Sequence, residues 1–131
     1  MSSSSAERPQ ILVVDDEPII AQLIADVLSA EGYGVDTAPD GRAALEHIGR
    51  RSYHLILSDL RMPGIDGVGL LREVERRHPD LARRFVFITG TSEHTDYYDL
   101  IAALAVPVLT KPFNMADLQQ VAREMLALPI S

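Results

Sequence analysis

Five short apolar segments, each followed by a segment with helix-like spacing of apolar residues, constrain the fold of this 131-residue chain more than any other feature. The segments typical of strands are Gln10–Val14, Gly34–Ala38, His54–Ser58, Phe85–Thr89 and Val106–Thr110. Alternation of strands and helices favours parallel pairing with right-handed crossovers. The first, third and fourth segments are the most apolar and belong at the centre, whereas the polar second segment and the proline-containing fifth belong at the edges. We therefore predict an α/β fold with a doubly wound parallel five-stranded sheet of order 2-1-3-4-5 and helices on both faces.

The spacing of apolar residues also predicts which side of each helix is buried. The first helix should begin near Pro18, end before Gly32 and Gly34, and bury a single apolar stripe. The members of that stripe are Ile19, Leu23, Ile24, Val27 and Leu28. The third helix should end at His78, because the residue before a proline disfavours helical backbone. The buried side of the fourth helix is predicted to comprise Tyr97, Leu100, Ile101 and Leu104.

Composition restricts the classes of protein to which the chain can belong. A chain of this length fits one domain, which we predict over residues 9–129 after a flexible tail at residues 1–8. The absence of cysteine excludes disulfide and thiol chemistry. The net charge of −7 argues against direct nucleic-acid binding, and no apolar run approaches the roughly 20 residues of a membrane helix. A basic cluster is expected to be solvated, with a partner contact as the alternative: Arg72, Arg76, Arg77, Arg83 and Arg84.

One carboxylate occupies the position where chemistry is expected in such a fold. Asp59 follows the third strand and precedes a loop marked by Pro63, Gly64 and Gly67. In open parallel sheets, sites form outside the carboxyl ends of the strands. Taken alone, Asp59 fits a turn or cap residue equally well, since aspartate is common at both.

Other strand ends supply side chains that complement Asp59. The first strand ends at Asp15 and Asp16, the fourth at Thr89, and the fifth at Lys111. Parallel strands share a carboxyl edge, so these side chains should converge. Two carboxylates ~4 Å apart repel by about 4 kcal/mol at an effective dielectric near 20, and a hard divalent cation such as Mg²⁺ removes that cost. A metal, an ammonium and a hydroxyl together suit a phosphoryl group, and a carboxylate can itself be the nucleophile.

These residues also match a known family. Over almost its whole length, the chain resembles the receiver domain of two-component response regulators, which have a flavodoxin-like fold. The matching motifs are Val13-Val14-Asp15-Asp16-Glu17, Ser58-Asp59-Leu60-Arg61-Met62-Pro63-Gly64-Ile65-Asp66-Gly67, Ile88-Thr89-Gly90 and Lys111-Pro112-Phe113. The resemblance implies a phosphoacceptor domain that accepts a phosphoryl group on Asp59 from a phosphohistidine of a histidine kinase. It also implies self-catalysed transfer with slow autodephosphorylation rather than a conventional enzyme.

The resemblance further implies a set of metal ligands. Asp16, Asp59 and the backbone carbonyl of Arg61 would bind Mg²⁺, with Mn²⁺ as the alternative, and Asp15 would act largely through water. Thr89 and Lys111 would contact the phosphoryl oxygens.

One position departs from the family pattern. Receivers usually carry an aromatic residue three positions before the lysine, and here that position is Val108. The segment Val106-Pro107-Val108-Leu109 resembles the fifth strand of receivers fused to hybrid histidine kinases. The Lys111–Pro112 bond would be cis, as in the family. We expect phosphorylation to act through the loop Gly90–Glu93, with the partner surface on the first helix or on the face formed by the fourth helix, fifth strand and fifth helix.

The expected partners are a histidine kinase or a histidine phosphotransfer protein, together with an output domain or partner protein, in the bacterial cytoplasm. An aspartyl-phosphate phosphatase usually needs a second acid two residues after the nucleophile, where this chain has Arg61. A flavodoxin-like cofactor binder needs a loop rich in Ser, Thr and Gly after the first strand, where this chain has acids. A receiver used as a phosphorylation-independent binding module stays open as the alternative.

Overall fold

A computed structural model describes residues 8–90 and 98–128. Five parallel strands form one sheet of order β2-β1-β3-β4-β5, which confirms the predicted topology. The strands are β1 (Gln10–Val14), β2 (Gly34–Ala38), β3 (Leu55–Asp59), β4 (Phe85–Thr89) and β5 (Val108–Thr110). Strand β5 begins two residues later than predicted, although the carbonyl of Pro107 still accepts a hydrogen bond from the amide of Phe87 at 3.0 Å.

Six helices in the described part of the chain cover both faces of the sheet. They are α1 (Pro18–Ala30), α2 (Gly41–Arg50), α3 (Gly67–Arg77), α4 (Pro79–Ala82), α5 (Tyr98–Leu104) and α6 (Met115–Leu126). Helices α2, α3 and α6 each start with a side-chain cap, because Asp40, Asp66 and Asn114 accept hydrogen bonds from amides three residues on. The single turn α4 was not predicted. It forms because Pro79 suits the first position of a helix.

The stripe predicted for α1 is wrong at two positions. Ile24, Val27 and Leu28 are buried, whereas Ile19 is 83% exposed and Leu23 is 53% exposed. At 100° per residue, Ile19 lies about 140° around the helix from Ile24, outside the face that meets the sheet. Two small buried residues, Ala21 and Ala25, occupy that face instead.

Two apolar cores flank the sheet, one on each face. One core packs Leu12, Ile56, Phe85 and Phe87 against α2, α3 and α5. The other packs Ile11, Val13, Leu55, Leu57, Val86 and Ile88 against α1 and α6. All five residues of β3 are buried, so this central strand is covered on both sides.

Several expectations meet a different outcome or lie outside the described residues. Arg84 is not solvated as predicted: it is buried, and its guanidinium donates a hydrogen bond to the carbonyl of Leu128. This contact gives the Leu128 carbonyl, just past the end of α6, a hydrogen-bond donor. The tail at residues 1–7, Tyr97 and the loop residues 91–93 lie outside the part that is described. Within that part, no helix combines the length and apolar character needed to span a membrane.

Candidate functional site

Three carboxylates meet at the carboxyl edge of the central strands. The strand register places Val14 opposite Ser58, so the residues that follow them, Asp15 and Asp59, are neighbours. One carboxylate oxygen from each of Asp15, Asp16 and Asp59 lies within 4.8 Å of the others. Asp15 and Asp59 are buried, and Asp16 is exposed. The predicted convergence of these residues is therefore present in the structure.

The carboxylate of Asp15 is buried with few groups to compensate its charge. Its amide donates to the carbonyl of Ala38 at 3.1 Å, and its Oδ1 accepts from the amide of Glu17 at 2.9 Å. Among the residues described, no donor hydrogen-bonds its buried Oδ2. Burial raises the pKa of Asp15, although the Glu17 amide and the charge of Lys111 oppose that rise. A buried carboxylate oxygen without a donor is the kind of group that a cation satisfies.

Lys111 supplies the positive charge of the cluster. Its Nζ lies 3.7 Å from Asp15 Oδ2, 3.8 Å from Asp59 Oδ2 and 3.4 Å from Glu17 Oε1. Burial lowers the pKa of Lys111, but the neighbouring carboxylates outweigh burial and leave that pKa raised. The following peptide bond, Lys111–Pro112, is cis.

A close backbone approach holds Asp59 in place. The amide of Leu60 donates to the carbonyl of Ile88 at 3.0 Å, and the amide of Gly67 donates to the carbonyl of Leu60 at 2.8 Å. A Cβ at Gly67 would lie 2.6 Å from the carbonyl oxygen of Asp59. Sequence reasoning treated Gly67 only as a loop residue. Its position directly after the Asp66 cap, at the first residue of α3, is the signal that sets it apart.

The other predicted residues occupy the ends of the neighbouring strands. Thr89 is buried at the end of β4, and its hydroxyl donates to the carbonyl of Gly90 at 3.1 Å. Val108 pairs in register with Phe87 and is half-buried against the first of the two cores. The side chain of Arg61 is exposed. Only its backbone carbonyl was predicted to take part in the site.

One contact was missed from the sequence. In the sequence Glu17 is only the last residue of the motif that follows the first strand. In the structure its side chain reaches Lys111, 94 residues away along the chain.

The donors of the cluster fit a hard divalent cation. All three groups that lie within 4.8 Å of one another are carboxylates, and oxygen-only donor sets favour Mg²⁺ or Mn²⁺ over softer metals. The Oδ2 of Asp15, which accepts no hydrogen bond from the described residues, also fits a bound cation or its hydration shell. The residues present therefore suit the metal that the resemblance implies.

Comparisons with known proteins agree with this geometry. The nitrogen assimilation regulatory protein NtrX of Azorhizobium caulinodans is 39% identical over 109 residues, which cover 79% of this chain and 23% of that protein. The sensor kinase CckA of Brucella abortus is 34% identical over 118 residues, which cover 88% of this chain and 12% of the kinase. This chain thus spans less than a quarter of the length of either relative.

A solved structure and a family description agree as well. The response regulator protein TrrA of Thermotoga maritima, crystallised in complex with Mg²⁺-BeF, matches with a TM-score of 0.78 and 31% identity, over 89% of this chain and 98% of that chain. The family described as the response regulator receiver domain matches residues 11–123. The chain therefore belongs to the response regulator receiver domain family of two-component signalling.

Proposed function

We propose that this receiver domain, spanning residues 9–129, accepts a phosphoryl group on Asp59 from a phosphohistidine and then changes its contacts with a partner. The observation that carries the proposal is the position of the Asp59 carboxylate. It is buried at a strand end, 3.8 Å from Lys111 Nζ and within 4.8 Å of the oxygens of Asp15 and Asp16. Few reactions other than phosphoryl transfer use a carboxylate nucleophile beside both a cation site and an ammonium.

The chemistry needs little more than positioning. A carboxylate oxygen of Asp59 attacks phosphorus, and the P–N bond of the donor breaks. The leaving imidazole keeps the electron pair and takes a proton from solvent. Lys111 donates hydrogen bonds to the phosphoryl oxygens, and the hydroxyl of Thr89, at the end of the adjacent strand, donates another. Water later hydrolyses the acyl phosphate slowly, as the resemblance to the family implies.

The metal ligands proposed are Asp16, Asp59 and the backbone carbonyl of Arg61, with Asp15 acting through water. When bound, Mg²⁺ or Mn²⁺ supplies positive charge that offsets the carboxylates and neutralises the transferred group. Two features of Asp15 support this role: burial raises its pKa, and none of the described residues donates a hydrogen bond to its Oδ2. A bound cation would offset both.

The proposed donor is a histidine kinase or histidine phosphotransfer protein of the bacterial cytoplasm. A groove of 380 Å³ supports a docking surface on α1, and it is lined by Ile20, Leu23, Lys111, Pro112 and Phe113. Ile19 is exposed on the same helix. Apolar grooves of this type suit a helix of a partner. Similarity to CckA supports a place within a hybrid kinase, and similarity to NtrX supports a link to an output domain.

Mass analysis after incubation with acetyl phosphate and Mg²⁺ tests the proposal. Wild type should gain one phosphoryl group, and Asp59→Asn should gain none while keeping its fold. Asp99→Asn, which removes an exposed acid on α5, is the matched control and should be labelled like wild type. Labelling of Asp59→Asn would reject the acceptor assignment. A folded wild type that is never labelled, by acetyl phosphate or by any kinase, would favour the phosphorylation-independent binding module.

A further inference from the structure

Glu17 is an acid of the site to which phosphoryl acceptance assigns no task. It occupies the cap position of α1, where its backbone is extended, yet its side chain makes no capping hydrogen bond. Short side chains usually fill this position because they reach the free amides of the first turn. The longer side chain of Glu17 extends to Lys111 instead, with 3.4 Å between Oε1 and Nζ.

Lys111 is shared among three carboxylates and lies tightly against none of them. The distances from its Nζ are 3.4 Å to Glu17, 3.7 Å to Asp15 and 3.8 Å to Asp59, whereas charge-assisted hydrogen bonds are typically about 2.7–2.9 Å. Glu17 is 63% exposed, while Asp15 and Asp59 are buried. The shortest of the three contacts is therefore made with the acid that lies nearest to solvent.

A phosphoryl group on Asp59 would compete with Glu17 for the same donors. An ammonium has three N–H groups, and a phosphoryl group brings three strong acceptor oxygens. We propose that Glu17 is a positioning residue. In the unmodified domain it holds Lys111 away from the place that a phosphoryl group on Asp59 would occupy, and it thereby weakens phosphoryl binding. This inference rests on the proposed function of Asp59 as the acceptor. Glu17 would then set how readily this receiver is switched on.

Affinity for beryllofluoride, a phosphoryl mimic, measures the effect in the full chain with saturating Mg²⁺. Exposed ion pairs shift equilibria by roughly two- to fivefold, so Glu17→Gln should bind beryllofluoride about two- to fivefold more tightly than wild type. Glu31→Gln is the matched control, because it removes the same charge from a 3.4 Å ion pair with Arg123 at the other end of α1. The control should bind like wild type.

The same substitution in a Lys111→Gln background separates positioning from simple repulsion of the anion. If Glu17 acts through Lys111, Glu17→Gln has no effect once that ammonium is gone. An equal gain in both backgrounds, or no gain in the wild-type background, overturns the proposal. A wild type that binds no beryllofluoride and takes no phosphate overturns the acceptor function itself, which is a different result.

The chemical shift of Lys111 Nζ gives a second readout if the Lys111→Gln protein binds too weakly to titrate. In the unliganded protein Glu17→Gln should move this resonance, because the nearest anion has been removed. With beryllofluoride bound, wild type and Glu17→Gln should give the same shift, since the ammonium then contacts the mimic in both. An unliganded resonance that does not respond to Glu17→Gln overturns the proposal.

Discussion

Replacing Gly67 with alanine should lower stability and slow phosphorylation together, because of where the added methyl group falls. The new Cβ would lie 2.6 Å from the carbonyl oxygen of Asp59 and 3.0 Å from the Cα of Leu60. Ordinary contact at such a position begins near 3.4 Å, so the end of β3 or the first turn of α3 must move by roughly 0.8 Å. Both neighbours are backbone atoms. The hydrogen bond from the Gly67 amide to the Leu60 carbonyl ties them together.

The cost follows from that displacement. Overpacking of this kind destabilises the fold by roughly 1–3 kcal/mol. Alanine offsets about 0.4–1 kcal/mol of this loss, because it has less conformational freedom than glycine in the unfolded chain. We expect a net loss of about 1–2 kcal/mol in the free energy of unfolding, or a Tm lower by roughly 4–8 °C. Because a misplacement near 1 Å can cost about a hundredfold in rate, phosphorylation at Asp59 should slow by about tenfold or more.

Gly49→Ala provides the matched control. Gly49 lies within α2, and a Cβ there would meet nothing within 4 Å. Alanine is the better helix former, so this variant should gain about 0.5–1 kcal/mol and keep the wild-type phosphorylation rate. Urea unfolding at constant m-value and labelling by acetyl phosphate measure the two effects. If Gly67→Ala were as stable as Gly49→Ala and were phosphorylated at the wild-type rate, the reasoning from this close approach would be refuted.

Two further predictions concern the metal and pH. Mg²⁺ at a hundred times its Kd should stabilise wild type by about 2.7 kcal/mol, or about 10 °C in Tm, and Asp16→Ala should lose this gain. The exposed-acid control Asp26→Ala should keep it, and equal responses of all three proteins in thermal melts would contradict the assigned ligands. Burial and a 2.6 Å hydrogen bond to Asp36 raise the pKa of Tyr53 above its ordinary 10.0. The folded state therefore holds the phenol proton more tightly than the unfolded state does. The free energy of unfolding should fall as the pH rises past 10.0. Tyr53→Phe should make that fall shallower in urea unfolding and cost about 1 kcal/mol at neutral pH; an equally steep fall would argue against this coupling.

The convergence of the acidic cluster could be predicted because it depends on topology alone. The alternation of strands and helices along the chain predicts parallel strands. The residues after Val14 and Ser58 then lie at the same edge of the sheet. Lys111 follows from the same reasoning, since β5 runs parallel to β4. No knowledge of side-chain packing was needed for these positions.

Positions that depend on packing could not be predicted in the same way. The orientation of α1 is set by two alanines, Ala21 and Ala25, which carry little hydrophobic signal beside Ile19 and Leu23. Arg84 is one of several neighbouring arginines, and nothing in their order marks the one whose guanidinium meets the end of α6.

The proposed acceptor Asp59 and Lys111, which is proposed to contact its phosphoryl group, lie at the ends of strands with different freedom to open. Asp59 ends β3, whose five residues are all buried between two neighbouring strands. Lys111 follows β5, an edge strand of three residues that pairs with β4 alone. Amide hydrogens should therefore exchange slowly along β3, near the rate set by global unfolding, and faster along β5 through local opening. The phosphoryl group would be bound at the end of a buried central strand and contacted by a residue that follows a short edge strand, so a partner that clamps β5 would also alter how long the acyl phosphate survives.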